Sequence, residues 1–197
     1  MTHINVLITI SRKRLWRNKN TLVIDAVTKT MQKIAVLRRK LVDNVCTISV
    51  LLSDDNQLHK MNLKYRNKDK ATNVLSFQNI DWSKEVVDIL SFEQIDCGKN
   101  TNIYEVNANY IIPKKSCEIK GDTMVVHLGD IMVSYERVEK ESKEQNRDFD
   151  DYLSFMIVHG TLHLMGYDHE EEDEAHEMAA LERSIMSSLN SIHGIKY

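Results

Sequence analysis

Apolar residues recur along the chain with two different spacings, which separate predicted strands from predicted helices. Runs of β-branched and aliphatic residues predict strands at 4–10, 45–52, 72–77 and 128–135. Helical spacing or composition predicts helices at 20–40, 136–145, 148–164 and 171–189, and a further helix, second in chain order, that runs through Leu58, Met61 and Tyr65. Strands and helices are mixed, and two helices stand at the end of the chain. This order predicts an α+β fold in which a small mixed sheet packs with helices.

Polar residues indicate where three of these helices begin. Ser53 or Asp54 can cap the second helix, and Asp148 or Asp150 can cap the strongly apolar helix at 148–164. The last helix begins with acidic residues from Glu171 onward, and the helix dipole favours negative charge at that end.

Residues 78–126 follow no steady period. A helix is predicted at 82–92, but the remainder, which contains the only proline, Pro113, has no regular pattern. The stretch is therefore predicted to be a long insertion, ordered only in part. With 197 residues, 42% of them hydrophobic, the chain is predicted to form one domain over residues 1–197.

Composition predicts a cytoplasmic protein. No run approaches the roughly 18 uncharged apolar residues of a membrane span. The apolar run at 4–10 is followed by basic residues rather than preceded by them, unlike a secretory signal. The three cysteines, Cys46, Cys97 and Cys117, are odd in number and far apart, which fits a reducing compartment.

Charge is divided unevenly along the chain. Residues 1–70 carry 15 Lys and Arg against 5 Asp and Glu, whereas residues 71–197 carry 11 against 24. A basic half is compatible with a polyanionic partner such as RNA. On charge alone, an ordinary solvated surface with both signs is the favoured interpretation.

Three histidines near the end of the apolar helix form a candidate metal site. His159 and His163 are four residues apart and share one helix face, and Gly166 can end the helix with a left-handed turn that returns His169 as a third ligand. Three imidazoles leave the fourth tetrahedral position of zinc to water, whose pKa zinc lowers to about 7. Other divalent ions also bind three nitrogens, and three separate structural histidines are the alternative interpretation.

The same spacing occurs in the zinc-protease pattern H-E-x-x-H-x-x-G-x-x-H. The catalytic glutamate of that pattern is replaced here by Gly160, which cannot act as a general base. The pattern therefore favours a shared metal geometry without the machinery for peptide cleavage. Glycine inside a helix costs about 1 kcal/mol against alanine, which indicates a role in close packing or substrate access.

Residues 159–169 resemble the sequence H-G-x-L-H-L-x-G-Y-D-H of the YbeY family of bacterial endoribonucleases and match every fixed position. Two further segments are similar to that family, 63–69 with the strand 72–77, and the L-G-D-I strand at 128–131. Two features depart from it. Asn73 stands where the family usually has aspartate, and the insertion at 78–126 is longer than usual.

The resemblance implies a zinc-dependent endoribonuclease that prefers single strands and holds one zinc ion per chain on the three histidines. It implies maturation of ribosomal RNA, especially small-subunit ends, and ribosome quality control, with ribosomal RNA or the small subunit as partner. Arg66 matches the family's functional arginine, so the implied catalytic set is Arg66, His159, His163 and His169. A guanidinium can clamp a phosphate independently of any resemblance. A non-catalytic ribosome-assembly factor with a structural metal, and less favourably a metallopeptidase, are the alternatives.

Four further polar residues receive weaker predictions. Asp168 can orient a ligand histidine or cap the last helix, and Asp130 can support the site from its strand. His127 and His176 lie outside the motif and are predicted to be surface residues.

Overall fold

Five strands and five helices follow one another in the computed structural model, which describes residues 3–37, 45–80, 82, 117–120 and 123–193. The strands are β1 (His3–Ile10), β2 (Val45–Ser53), β3 (Val74–Gln78), β4 (Cys117–Lys120) and β5 (Thr123–Ser134). The helices are α1 (Asn20–Leu37), α2 (Asp55–Arg66), α3 (Tyr135–Glu144), α4 (Phe149–Leu164) and α5 (Glu172–His193).

The strands form one mixed sheet in the order β1-β2-β5-β3. β1 and β2 are parallel, as are β2 and β5, whereas β3 pairs with β5 in the antiparallel direction. β4 pairs with the beginning of β5, where Cys117 lies opposite Val126. The predicted mixed sheet and α+β class are confirmed.

Alternation along the strands divides the core into two layers. Ile48 and Val50 of β2 lie in the large core cluster with buried residues of α1, α4 and α5. Leu51 of β2 faces the opposite way and packs with Leu58 and Met61 of α2. The sheet therefore separates α2 from α4, the helix that carries two of the candidate ligands.

The helix caps follow the predicted alternatives. Asp54 caps α2 by accepting a 2.9 Å hydrogen bond from the backbone N–H of Gln57, and Asp148 caps α4 by accepting one of 2.8 Å from Asp150. The predicted strand 128–135 was wrong at both ends. It begins at Thr123 because it pairs with β4, and it ends at Ser134, whose hydroxyl caps α3.

The structure describes only part of the predicted insertion at 78–126. The predicted helix 82–92 lies outside the described residues except for Trp82, which is in a turn. β4 and the first residues of β5 are regular strands within the predicted irregular stretch. A strand of four residues is too short to show a period, which is why the sequence pattern missed it. No described helix is long and apolar enough to cross a membrane.

Candidate metal centre

The three predicted ligands converge at the carboxyl end of α4. Each of His159, His163 and His169 offers a ligand atom, and these atoms lie within 4.8 Å of one another. The Nε2 atoms of His159 and His163 are 3.1 Å apart. Two nitrogens held tetrahedrally at the usual zinc–nitrogen distance would be about 3.3 Å apart, so the pair has metal-site spacing.

Gly166 turns the chain back toward the helix, as predicted. Its φ is +81°, and its N–H donates to the carbonyl of His163 at 3.0 Å while the N–H of Tyr167 donates to Leu162 at 3.1 Å. These two bonds make a Schellman motif. A Cβ at this position would also lie 2.7 Å from the ring of Trp82, which packs over the helix end. The turn places His169 beside the two helical imidazoles.

Hydrogen bonds at the outer nitrogens select the tautomer of two ligands. His159 Nδ1 lies 2.8 Å from Oε1 of Glu182 on α5, and His163 Nδ1 lies 3.0 Å from the carbonyl oxygen of Tyr167. Both acceptors require Nδ1 to carry the proton in a neutral ring, so each Nε2 presents a lone pair to the other. Lone pairs 3.1 Å apart repel, and a cation between them removes the repulsion. The donor set therefore fits a metal ion.

Electrostatics keep the central imidazole neutral. Burial, and then the neighbouring His159 and His169, lower the pKa of His163 to about 4, although Asp168 and the Tyr167 carbonyl act in the opposite direction. A histidine ligates metal through its neutral form. His163 is therefore ready to bind at neutral pH without first losing a proton.

Gly160 serves close packing against the sheet. A Cβ there would lie 3.0 Å from Oγ of Ser76 and 3.1 Å from a methyl group of Ile131, and the Ser76 hydroxyl donates to the Gly160 carbonyl at 3.1 Å. The position of the protease glutamate therefore faces β3 and β5, where a side chain could be added only by displacing these neighbours. This contact fixes α4, and with it His159 and His163, on the sheet.

A cleft of about 310 Å³ opens beside the histidines, hereafter the triad cleft. Its lining includes His159, His169, Glu182 and, just before β3, Asn73. The Asn73 amide donates to Glu141 at 2.8 Å, and Glu141 also accepts a 2.8 Å bond from the hydroxyl of Tyr152. An aspartate at position 73 could not donate to Glu141, which gives a physical reason for the departure noted in the sequence.

Comparison with known proteins identifies the chain. A family model described as Endoribonuclease YbeY matches residues 13–190. This chain belongs to the YbeY family. The Bartonella quintana endoribonuclease YbeY is 34% identical over 187 residues, which cover 95% of this chain and 94% of that protein. The Magnetococcus marinus relative is 37% identical and covers 72% of this chain and 78% of its own.

Another YbeY relative and a solved structure are also similar to this chain. The YbeY of Clostridium botulinum strain Alaska E43 is 32% identical over 176 residues, covering 88% of this chain and 95% of its own. A solution structure from Thermotoga maritima covers 97% of this chain and 90% of that one, with a TM-score of 0.48 and 19% identity. The YbeY relatives make this protein an endoribonuclease, a metal-dependent hydrolase of RNA.

Arg66, the fourth residue suggested by the YbeY resemblance, lies on a different helix from His159 and His163. It is the last residue of α2 and is exposed, and α2 covers the sheet face opposite α4. Within the described residues no hydrogen bond or ion pair joins Arg66 to the triad. Asn67 follows it in the left-handed region, with φ of 53°, and ends the helix. The role of Arg66 stays a prediction.

For the other polar residues, some predictions are confirmed and others are wrong. Glu182 was missed, because one glutamate in an acidic helix carries no sequence signal for a partner 23 positions away. His127 is buried rather than at the surface: its Nε2 lies 3.4 Å from the Asp130 carboxylate, on the α2 face of the sheet. His176 is exposed as predicted. Asp168 accepts a bond from the N–H of His169 and lies 3.8 Å from His163.

Proposed function

We propose that His159, His163 and His169 hold one zinc ion per chain and that this centre is where the protein cleaves RNA. The observation that supports the proposal most directly is the inward orientation of two Nε2 lone pairs 3.1 Å apart, each set by a hydrogen bond at Nδ1. Zinc binds three neutral imidazoles readily. Its preferred tetrahedral geometry then leaves a fourth position for water or substrate.

The metal ion and the side chains around it have different roles in the proposed reaction. When bound, zinc supplies Lewis-acid chemistry that polarises water or a phosphate oxygen. The hydrogen bonds that His159 and His163 donate from Nδ1 to Glu182 and to the Tyr167 carbonyl hold both rings in the ligating tautomer. Arg66 donates to phosphate oxygens in the two-pronged geometry that only a guanidinium offers. Gly160 excludes the glutamate base of zinc proteases, which disfavours the metallopeptidase alternative.

The proposed biological role is supported by the family resemblance rather than by geometry. We propose that the substrate is single-stranded ribosomal RNA, that the reaction matures the ends of small-subunit RNA, and that it serves ribosome quality control in the cytoplasm. The basic first 70 residues are compatible with that partner. We further propose that residues 1–197 form one domain with an insertion at about 78–126.

Metal content and cleavage test the site together. Wild-type protein purified without added metal should hold about one zinc ion per chain, and His163→Ala should lose most of it, since two imidazoles rarely suffice. Metal-loaded wild type should cleave single-stranded RNA but leave casein intact, and His163→Ala should cleave neither. His176→Ala is the control, because this exposed histidine lies outside the motif. Full metal content and cleavage in His163→Ala would overturn the proposal.

Arg66 needs a separate comparison. Arg66→Ala should lower kcat/KM for RNA about tenfold or more, since a hydrogen bond to a charged group contributes about 1.5–3 kcal/mol. Arg66→Lys should restore only part, and Lys68→Ala, which removes an exposed charge two residues later, should have little effect. Metal content should stay unchanged in all three. Equal losses of kcat/KM in Arg66→Ala and Lys68→Ala would show that Arg66 contributes only its positive charge.

A further inference from the structure

Apolar residues form much of the wall of the triad cleft. Phe155 and Met156 of α4 and three residues of α5 form it, together with Val74 of β3; the α5 residues are Ala175, Met178 and Ala179. Met156 and Met178 are buried, whereas Phe155 is partly exposed. The volume of about 310 Å³ is at the lower end for sites that take a small organic group.

The aromatic ring in this wall, that of Phe155, packs against Arg147. The Arg147 guanidinium lies 4.9 Å from the centre of the Phe155 ring, and Arg147 is itself bonded to Asp151 at 2.7 Å. The ring centre of His159 is 6.3 Å from that of Phe155. A fixed, partly exposed ring next to the reaction centre is suited to stacking against a flat group.

The charge of the triad cleft decides which part of a nucleotide it can take. None of the described residues that line it is Lys or Arg, and Glu182 adds a carboxylate. Apart from an ion held by the histidines, a phosphate would gain no cation from these walls and would face that carboxylate. A nucleobase, in contrast, is flat, uncharged and largely apolar on its faces, and would bury them against Phe155 and the methionines.

We infer that the triad cleft is a nucleobase subsite that receives the base of a nucleotide next to the phosphate cleaved at the histidine centre. The inference rests on the proposed function, because it takes the three histidines as the reaction centre. A base that enters this cleft must leave its stack and its pair. Rejection of paired RNA would then arise from the cleft itself, in addition to any contact with the RNA backbone.

Filling the triad cleft is the first test. Ala179 lines it, and the next residue, Ala180, is exposed on the same helix and does not. Ala179→Trp should lower kcat/KM on a single-stranded oligoribonucleotide at least tenfold while zinc content stays at one per chain. Ala180→Trp should cleave like the wild type. Equal, full cleavage by both zinc-loaded tryptophan variants would overturn the inference.

A substrate series keeps the test independent of whether Ala179→Trp folds. Wild-type protein should cleave an oligoribonucleotide that lacks the base on one side of the mapped cleavage position roughly 5- to 150-fold more slowly, the range that base stacking supplies. Phe155→Leu should slow cleavage of the intact substrate but not of the abasic one. Two abasic substrates are needed, one lacking the base before the cleaved phosphate and one lacking the base after it. Full-rate cleavage of both would overturn the subsite.

The histidine variant separates this inference from the proposed function. If His163→Ala abolishes cleavage while abasic substrates and Phe155→Leu show no effect, only the nucleobase subsite is wrong. If His163→Ala cleaves RNA at the wild-type rate, the reaction centre lies elsewhere and both proposals are wrong.

Discussion

Glu182 illustrates how a single side chain on another helix can control a metal ligand. Its carboxylate lies 2.8 Å from His159 Nδ1, and only 13% of the side chain is exposed. A carboxylate in that position fixes the ring orientation and raises the basicity of the opposite nitrogen. The sequence predicts all three histidines because they share a local spacing, but Glu182 depends on how α5 packs on α4.

Removal of that carboxylate should weaken zinc binding without unfolding the protein. Glu182→Ala should lower zinc affinity about 10- to 100-fold, measured by competition with a chromophoric chelator. Glu182→Gln should lose less, because its amide oxygen still accepts the proton of His159 Nδ1. Glu177→Ala, an exposed acid on the same helix, is the control. Unchanged affinity in Glu182→Ala would show that the hydrogen bond does not position the ligand.

At the scale of elements, the end of α4 was predictable and the surroundings of the insertion were not. A glycine three residues after His163, before another histidine, predicts a left-handed turn from sequence alone, and the Schellman motif at Gly166 confirms it. The packing of Trp82 over that turn was not predictable, since Trp82 reaches the Leu164 carbonyl, 82 positions away, at 2.7 Å. Local hydrogen bonding leaves a pattern in sequence, whereas distant packing does not.

Gly166→Ala should therefore affect both stability and metal binding. The positive φ should cost about 1 kcal/mol of folding free energy, and the added Cβ would also contact Trp82 at 2.7 Å. Because the turn carries His169, zinc affinity should fall as well. Asn146→Ala is a matched control: Asn146 has a φ of 52° but lies after α3. It should lower the urea midpoint while zinc affinity stays constant.

At the scale of the whole molecule, Glu141 connects three elements around the triad cleft. It belongs to α3, accepts from Asn73 before β3, and accepts from Tyr152 on α4. Burial, and then the hydrogen bond to Glu141, raise the pKa of Tyr152 to about 12, so its hydroxyl remains a donor at neutral pH. The network holds the edge of the sheet against the metal-bearing helix.

A double-mutant cycle tests this connection. Asn73→Asp should lower the free energy of unfolding by roughly 1–3 kcal/mol, because it removes a donor and places two carboxylates in contact. Glu141→Gln in the same chain should recover most of the loss, since the glutamine amide can donate to the carboxylate introduced at position 73. Urea denaturation of the four proteins gives the coupling energy. Strictly additive effects would exclude a direct interaction.

The proximity of the three histidines in sequence has a consequence for how the protein handles its ion. His159 and His169 are the ends of an eleven-residue segment, so the ion closes only a short loop, and loop-closure entropy is small for short loops. Both clusters of the two-layer core form without any of the three histidines, unlike the core of small domains that fold only around zinc. Chelation should leave the far-ultraviolet circular dichroism and cooperative unfolding intact, and a collapse of both would contradict this. A folded scaffold that releases its ion can exchange it, so the occupant would follow the supply of divalent metals in the cell throughout the lifetime of the protein.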